Sequence, residues 1–156
     1  MNRYMTQKQY ERHVAVTKQT EEKLAIARKK VGKAAEHGDL SENAEYEAAI
    51  EESGFLAGRV EELRSALTGV NVIDPRNTEP TMVSIGKTVT FKDTETGAEE
   101  TYHIVGVGVT DTNAGEVSYS APLGGALVGS AAGDIVTAEL PGGTRKLEIV
   151  NIAIYE

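Results

Sequence analysis

Glu36-His37-Gly38-Asp39-Leu40-Ser41-Glu42-Asn43-Ala44-Glu45-Tyr46 interrupts two long stretches rich in Glu, Lys, Arg and Ala, and its reading decides the fold of the first half. Those four residue types are good helix formers. Gly38 breaks a helix, Asp39 has N-cap chemistry, and Glu42 three residues later completes a capping-box pattern. The spacing therefore predicts one helix over about residues 6–36 and a second that starts just after His37-Gly38-Asp39. Helices joined by so short a link run antiparallel. The second helix carries an apolar seam at Ala44, Ala48, Phe55 or Leu56, Val60, Leu63 and Leu67. The first has a poorer one, Tyr10, Val14, Leu24 and Val31, with Thr17, Glu21 and Arg28 between. The base of the hairpin, away from the turn, is thus expected to be soft unless a partner supports it. At roughly 1.5 Å per residue, such helices make a rod on the order of 45 Å long.

Charge follows the same division. The whole chain is at -8, which argues against more than weak free-standing nucleic-acid binding, since phosphates call for a basic surface. Residues 1–35 hold nine Lys/Arg against Glu11, Glu21 and Glu22, whereas residues 36–80 hold three basic and eleven acidic residues. A basic strip followed at once by an acidic one suggests cross-hairpin pairs, expected at Lys33–Glu45, Arg28–Glu51 and Lys18–Glu61. Each exposed pair is worth only about 0–1 kcal/mol.

Past the hairpin, Pro75 and Pro80 with Asn71 and Asn77 mark a linker, and the period changes to two. Strands are expected at residues 88–91, 100–105, 116–120, 134–139 and 146–154, with a short helix between Pro122 and Val128. The expected organisation is α+β in two domains. An antiparallel α-helical coiled-coil hairpin occupies residues 1–74, with its acidic tip near 38–43. A linker covers 75–80, and an antiparallel β-sheet domain with a short helix covers 81–156.

Most enzyme classes find no support. There is no cysteine, and His13, His37 and His103 lack ligand spacing, so a zinc site is not expected. No nucleophile elbow and no phosphate-binding glycine loop is present, and no self-contained active site is expected. No signal peptide or membrane-spanning run is visible, which makes the cytoplasm the default location and leaves no expected membrane partner. The tip is the exception. An ordinary helix start explains Asp39 and Glu42 as cap and back-bonding acid. Two carboxylates on a rod tip are also a Mg²⁺-type donor set, weak alone but useful beside another protein's carboxylates and a nucleic-acid phosphate.

The residues from Glu36 to Ala49, followed by Gly54-Phe55 and Arg59, resemble the hairpin-tip signature of the GreA/GreB family of transcript-cleavage factors, and the GreA branch more than the GreB branch. So do Tyr102-His103-Ile104-Val105-Gly106, the run Ser120-Ala121-Pro122-Leu123-Gly124-Gly125-Ala126-Leu127-Val128-Gly129, and Pro141-Gly142-Gly143. The resemblance spans most of the chain from Glu36 onward, while residues 7–35 match poorly. It implies a coiled coil that enters the secondary channel of bacterial RNA polymerase and an FKBP-like domain, without isomerase activity, that docks on the channel rim. It further implies a transcription elongation factor with no catalysis of its own, which stimulates the polymerase to cleave backtracked nascent RNA at its 3′ end. By position, Asp39 and Glu42 assist a Mg²⁺ shared with the polymerase active centre, and no cofactor is held tightly. Ser120, Pro122 and Leu123 correspond to the docking loop.

Ala35 and Ile50 stand where the family usually carries arginine, Ser41 where lysine is common, and Ala121 where serine is common. Lys29, Lys30 and Lys33 are the candidates to replace the lost cations as RNA contacts. These departures keep a second reading open, a channel-binding regulator that does not stimulate cleavage. A third, a free-standing peptidyl-prolyl isomerase or chaperone, needs an aromatic cleft, and only Phe91, Tyr102, Tyr119 and Tyr155 are available after Pro80.

Overall fold

The computed structural model describes residues 3–36 and 43–156. The chain falls into two compact units, Arg12–Thr68 and a second that joins the residues up to Glu11 to Gly69–Glu156.

The helical unit holds most of α1 (Gln7–Ala35) and all of α2 (Ala44–Leu67). Asn43 bonds to Ala34, Lys30 pairs with Glu52, and His13 bonds to Leu63, so contacts run in reverse order along the two helices. That order is the antiparallel arrangement the short link predicts. The seam keeps the expected Leu24, Leu56, Val60, Leu63 and Leu67 but departs from expectation elsewhere. In α2 the buried positions are Ala49, Val60 and Leu63, with half-buried Tyr46, Ser53, Leu56 and Leu67 completing an alternating three-four spacing. Phe55 is 75% exposed and Val14 is 41% exposed, so neither belongs to it. In the part of α1 that belongs to this unit the buried positions are His13, Thr17, Thr20, Leu24, Ala27 and Ala34.

Half of that α1 seam is polar, and each polar group is satisfied. The His13 ring donates from Nε2 to the Leu63 carbonyl at 2.7 Å, across the hairpin. Thr17 and Thr20 donate to the carbonyls of His13 and Val16, both at 2.8 Å. A hydroxyl bonded back to the preceding turn tolerates burial at little cost, so threonine serves where leucine would be expected. Among the described residues, Lys30–Glu52 at 3.8 Å and Arg64–Glu21 at 2.8 Å pair across the hairpin, in place of the three expected pairs.

The second unit is built on a five-stranded sheet in the order β5-β4-β3-β7-β6. Its strands are β3 (Lys87–Asp93), β4 (Glu99–Val105), β5 (Glu116–Ser118), β6 (Ile135–Leu140) and β7 (Gly143–Ile154). The five expected strands are all present within a few residues, as is the short helix α3 (Pro122–Leu127). The sheet is mixed rather than wholly antiparallel. β4 and β5 pair in parallel, His103 opposite Glu116, because the intervening residues loop over through a 3-10 turn at Thr112–Ala114 instead of closing a hairpin. Alternate residues of β3 and β7 supply the core: Val89, Phe91, Leu147 and Ile149 are at most 1% exposed and pack with Ile104 and Leu127. At the far end of β3, Arg145 bridges Asp93 and Glu100 at 3.0 and 2.6 Å. The Asp93 carboxyl is held below its ordinary range, first by the Glu95 backbone N–H and then by the Arg145 side chain.

Two further strands lie in stretches read as hairpin and linker. β1 (Arg3–Thr6) and β2 (Val70–Ile73) pair in parallel, Arg3 opposite Val70 and Thr6 opposite Ile73. Both strands lie in the compact unit that holds the sheet, while the hairpin bounds expected from sequence, residues 1–74, include them. Gln9, 1% exposed, reinforces the same region. Its side chain donates to the Gly106 carbonyl at 3.0 Å and accepts from the Gly106 N–H at 2.8 Å, as a neighbouring strand would. A Cβ on Gly106 would run into the Tyr4 carbonyl, so only glycine lets these segments approach. Gln9→Leu strands both Gly106 groups, at about 1–3 kcal/mol for each buried group left unpaired. Urea denaturation is expected to show a loss of about 3 kcal/mol, and an unchanged midpoint would rule out the clamp.

Candidate functional site

The tip residues Asp39 and Glu42 lie outside the described residues, as do His37, Gly38, Leu40 and Ser41. What is described is the pair of stems on either side. α1 ends at Ala35, and α2 begins at Ala44 with Asn43 as its N-cap, not Asp39. The Asn43 side-chain oxygen accepts from the N–H groups of Glu45 at 3.0 Å and Tyr46 at 3.2 Å. Its amide nitrogen donates to the Ala34 carbonyl, in the last turn of α1, at 2.9 Å. One side chain therefore satisfies an orphan acceptor of one helix and two orphan donors of the other. Sequence reasoning passed over it because Asp39 and Asn43 are equally good caps, and the Glu42 spacing favoured the former.

Of the three lysines considered for RNA contact, Lys29 and Lys33 are exposed. Lys30 is turned to Glu52. Lys33 lines an open groove of about 470 Å³ with Ala34, Glu45 and Ala49. Ala35 and Ile50 are exposed, Ile50 by 44%, so those two positions present uncharged side chains to the surroundings.

The loop carrying Ser120, Pro122 and Leu123 is a turn leading into α3. The Tyr119 N–H bonds to Val105 at 2.9 Å, and the Ala121 N–H closes back on Ser118 at 3.0 Å. The Ser120 hydroxyl lies 2.8 Å from that of Ser118. Ser120 and Pro122 are exposed, whereas Leu123 is half-buried against the sheet core. α3 starts at Ala121 with no side-chain cap, and Pro122 in its first turn supplies a preset backbone angle instead. Gly124 is pressed so closely on the Ser118 and Tyr119 backbone that a Cβ would meet the Ser118 carbonyl.

The aromatics of this unit are not gathered into one cleft. Phe91 stacks on Tyr102 at 5.8 Å, His103 on Tyr155 at 3.9 Å, and Tyr119 meets Tyr4 edge-on at 6.5 Å. Among the described residues no group of three or more His, Asp or Glu side chains is placed to hold a metal ion. No described helix is long and apolar enough to cross a membrane.

Known families also match the chain in two parts, which meet between residues 72 and 78. Residues 3–72 match the family described as "Transcription elongation factor, N-terminal", and residues 78–154 match "Transcription elongation factor, GreA/GreB, C-term". The transcription elongation factor GreA of Pelobacter propionicus is 44% identical over 122 residues, 78% of this chain and 77% of that protein. GreA of Cereibacter sphaeroides is 43% identical over 136 residues, covering 87% of this chain and 89% of that protein. Among solved structures, GreA factor homolog 1 of Thermus thermophilus aligns with a TM-score of 0.47 and 25% identity, covering 98% of this chain and 99% of that one. Both halves are matched in order along a single chain, and more than two thirds of it aligns above 40% identity, so this protein belongs to the GreA/GreB family of transcription elongation factors.

Proposed function

We propose that this elongation factor binds bacterial RNA polymerase, extends its hairpin through the secondary channel, and stimulates the polymerase to cleave backtracked RNA near the 3′ end. The observation that carries this reading is the order of parts along the hairpin: a helix ending at Ala35, the acids Asp39 and Glu42 in the connecting segment, and a helix beginning at Ala44. Ser120, Pro122 and Leu123 dock on the channel rim, and the exposure of the first two suits that role.

Two carboxylates are hard oxygen donors and fit the coordination Mg²⁺ prefers. A Mg²⁺ shared with the polymerase active centre supplies Lewis-acid activation of water. The chain's own contribution is electrostatic. Asp39 and Glu42 bring negative charge to a water-poor site, where fixed charges act far more strongly than in solution. Lys29 and Lys33 stand one to two turns from the tip and contact the RNA backbone. No active site independent of the polymerase is needed, and the cytoplasm is where such a factor meets its partner.

Ala35 and Ile50, exposed and uncharged, favour a second reading in which the chain occupies the channel without promoting cleavage. Adding the protein to stalled, backtracked polymerase complexes separates the two. Shortened RNA with release of a 3′ fragment is expected from the first. Competition with another channel ligand, with the RNA left intact, would establish the second, and failure to bind polymerase would discard both.

A further inference from the structure

One side of the helical unit leaves large apolar side chains in the open. Phe55 of α2 is 75% exposed and Ile26 of α1 is 57% exposed. Together they line a groove of about 300 Å³ between the helices, with Lys23 and Glu52 at its edges. Glu52 also lines the neighbouring groove of about 470 Å³, which Lys30, Lys33 and Glu45 bound. Burying a phenyl or branched side chain is worth about 1.5–3 kcal/mol. Two such groups side by side in water mark a surface that a partner would cover. The banks of this face differ in charge, with lysines along α1 and glutamates along α2. All of these charged residues are exposed. Even where Lys30 and Glu52 approach each other, their side chains remain 59% and 49% exposed.

We propose that this face is a homodimer interface, on which two copies lay their helix pairs together so that Phe55 of each packs on Ile26 of the other. The banks of opposite sign identify the occupant, because such a face is complementary to itself under a twofold axis that runs along the helices. That axis sets α1 of one copy over α2 of the other without changing the level of any residue. Ile26 and Phe55 already share a level within one chain, as do Lys30 with Glu52 and Lys33 with Glu45. Lys30 then faces Glu52 of the second copy, and Lys33 faces Glu45. A twofold axis across the helices would instead set α1 on α1, lysine against lysine. A foreign helix needs matching charges of its own, whereas a second copy brings them by symmetry. The face is narrow, so the dimer is weak and reversible, in the class of interfaces below about 1,200 Å². The inference does not draw on the function proposed above, since it concerns the free protein.

Sedimentation equilibrium of the full chain reads the association directly. The average molar mass is expected to start at the single-chain 16.7 kDa and approach twice that value as concentration rises over roughly 1–500 µM. Phe55→Gln keeps a good helix former at an exposed position and is expected to raise the midpoint concentration at least tenfold. Two charge variants test the pairing of the banks. Lys30→Glu with Lys33→Glu makes both banks acidic over that stretch, and Glu45→Lys with Glu52→Lys makes both basic. Each is expected to remain a single chain when alone, and an equal mixture of the two is expected to regain the dimer. Both variants stay negative overall, because each substitution moves the net charge of -8 by two, so bulk attraction does not explain recovery in the mixture. Circular dichroism checks that the helices persist in each variant, and Phe55→Gln stands as an independent test should a charge variant unfold. A single-chain mass across the whole range for the unsubstituted protein overturns the proposal. A midpoint that Phe55→Gln leaves in place overturns it as well. Folded charge variants that associate alone, or that stay apart when mixed, overturn the pairing of opposite banks.

Discussion

Asp39→Asn is expected to reduce RNA cleavage by backtracked polymerase complexes about 100-fold or more at saturating factor, with polymerase affinity within about twofold. The substitution conserves size and hydrogen-bonding capacity and removes only the negative charge. In water one charge beside a metal ion matters little, because the solvent screens it. In a site from which water is largely excluded, losing one preorganised electrostatic group commonly costs about 2.7–4 kcal/mol of transition-state stabilisation. Glu42→Gln should cost less, about tenfold, since a glutamate side chain has one more rotatable bond than an aspartate and the effect of a charge falls with displacement. Cleavage that is unchanged in both variants would remove the tip acids from the chemistry and leave the channel-occupying reading.

The second large effect is expected at Gly124. A methyl group there meets the Ser118 carbonyl, which cannot give way because its strand is hydrogen-bonded to β4. Gly124→Ala should therefore push α3 off β5, destabilise the sheet unit by about 3 kcal/mol, and move Pro122 and Leu123 together. Gly125, the next residue, is the control. A Cβ there lies 3.5 Å from the Tyr119 carbonyl, an ordinary contact, and Gly125 is exposed. Gly125→Ala should be neutral or stabilise α3 by up to about 1 kcal/mol through helix propensity. Denaturation midpoints for the two variants provide the comparison, with polymerase affinity as the functional readout. Equal behaviour of the two would show that Gly124 is not a packing contact.

The five sheet strands were legible because alternation is a local property and glycine-bearing turns punctuate it. The strand β3 shows why: Lys87, Val89, Phe91 and Asp93 are buried in strict alternation. β1 and β2 were not legible. Each has four residues, and their partnership joins Arg3 to Val70, a relation no window along the chain contains. The parallel pairing of β4 with β5 escaped for a similar reason, since the length of the connection does not reveal which way it turns. In the hairpin, the helices and their antiparallel order followed from composition and one short break. The α1 side of the seam did not, because His13, Thr17 and Thr20 occupy core positions with their polar atoms bonded to carbonyls. At the candidate site, residue types suggested the acids, while the docking loop came from the family resemblance alone. The double bond of Asn43 was out of reach, because a cap is visible in sequence and a donor aimed at the other helix is not.

The parallel pairing of β1 with β2 also dictates an order of maturation. Parallel neighbours cannot be joined by a tight turn, and here both long helices together form the link between them. As the chain leaves the ribosome, Arg3 must wait for Val70, several seconds at roughly 5–20 residues per second. A helix forms in about a microsecond, so the helices have ample time to coil while the first strand still lacks its mate. Residues 3–6, made before either helix, thus settle after both, and the nascent protein carries an unmatched strand edge that chaperones are suited to cover.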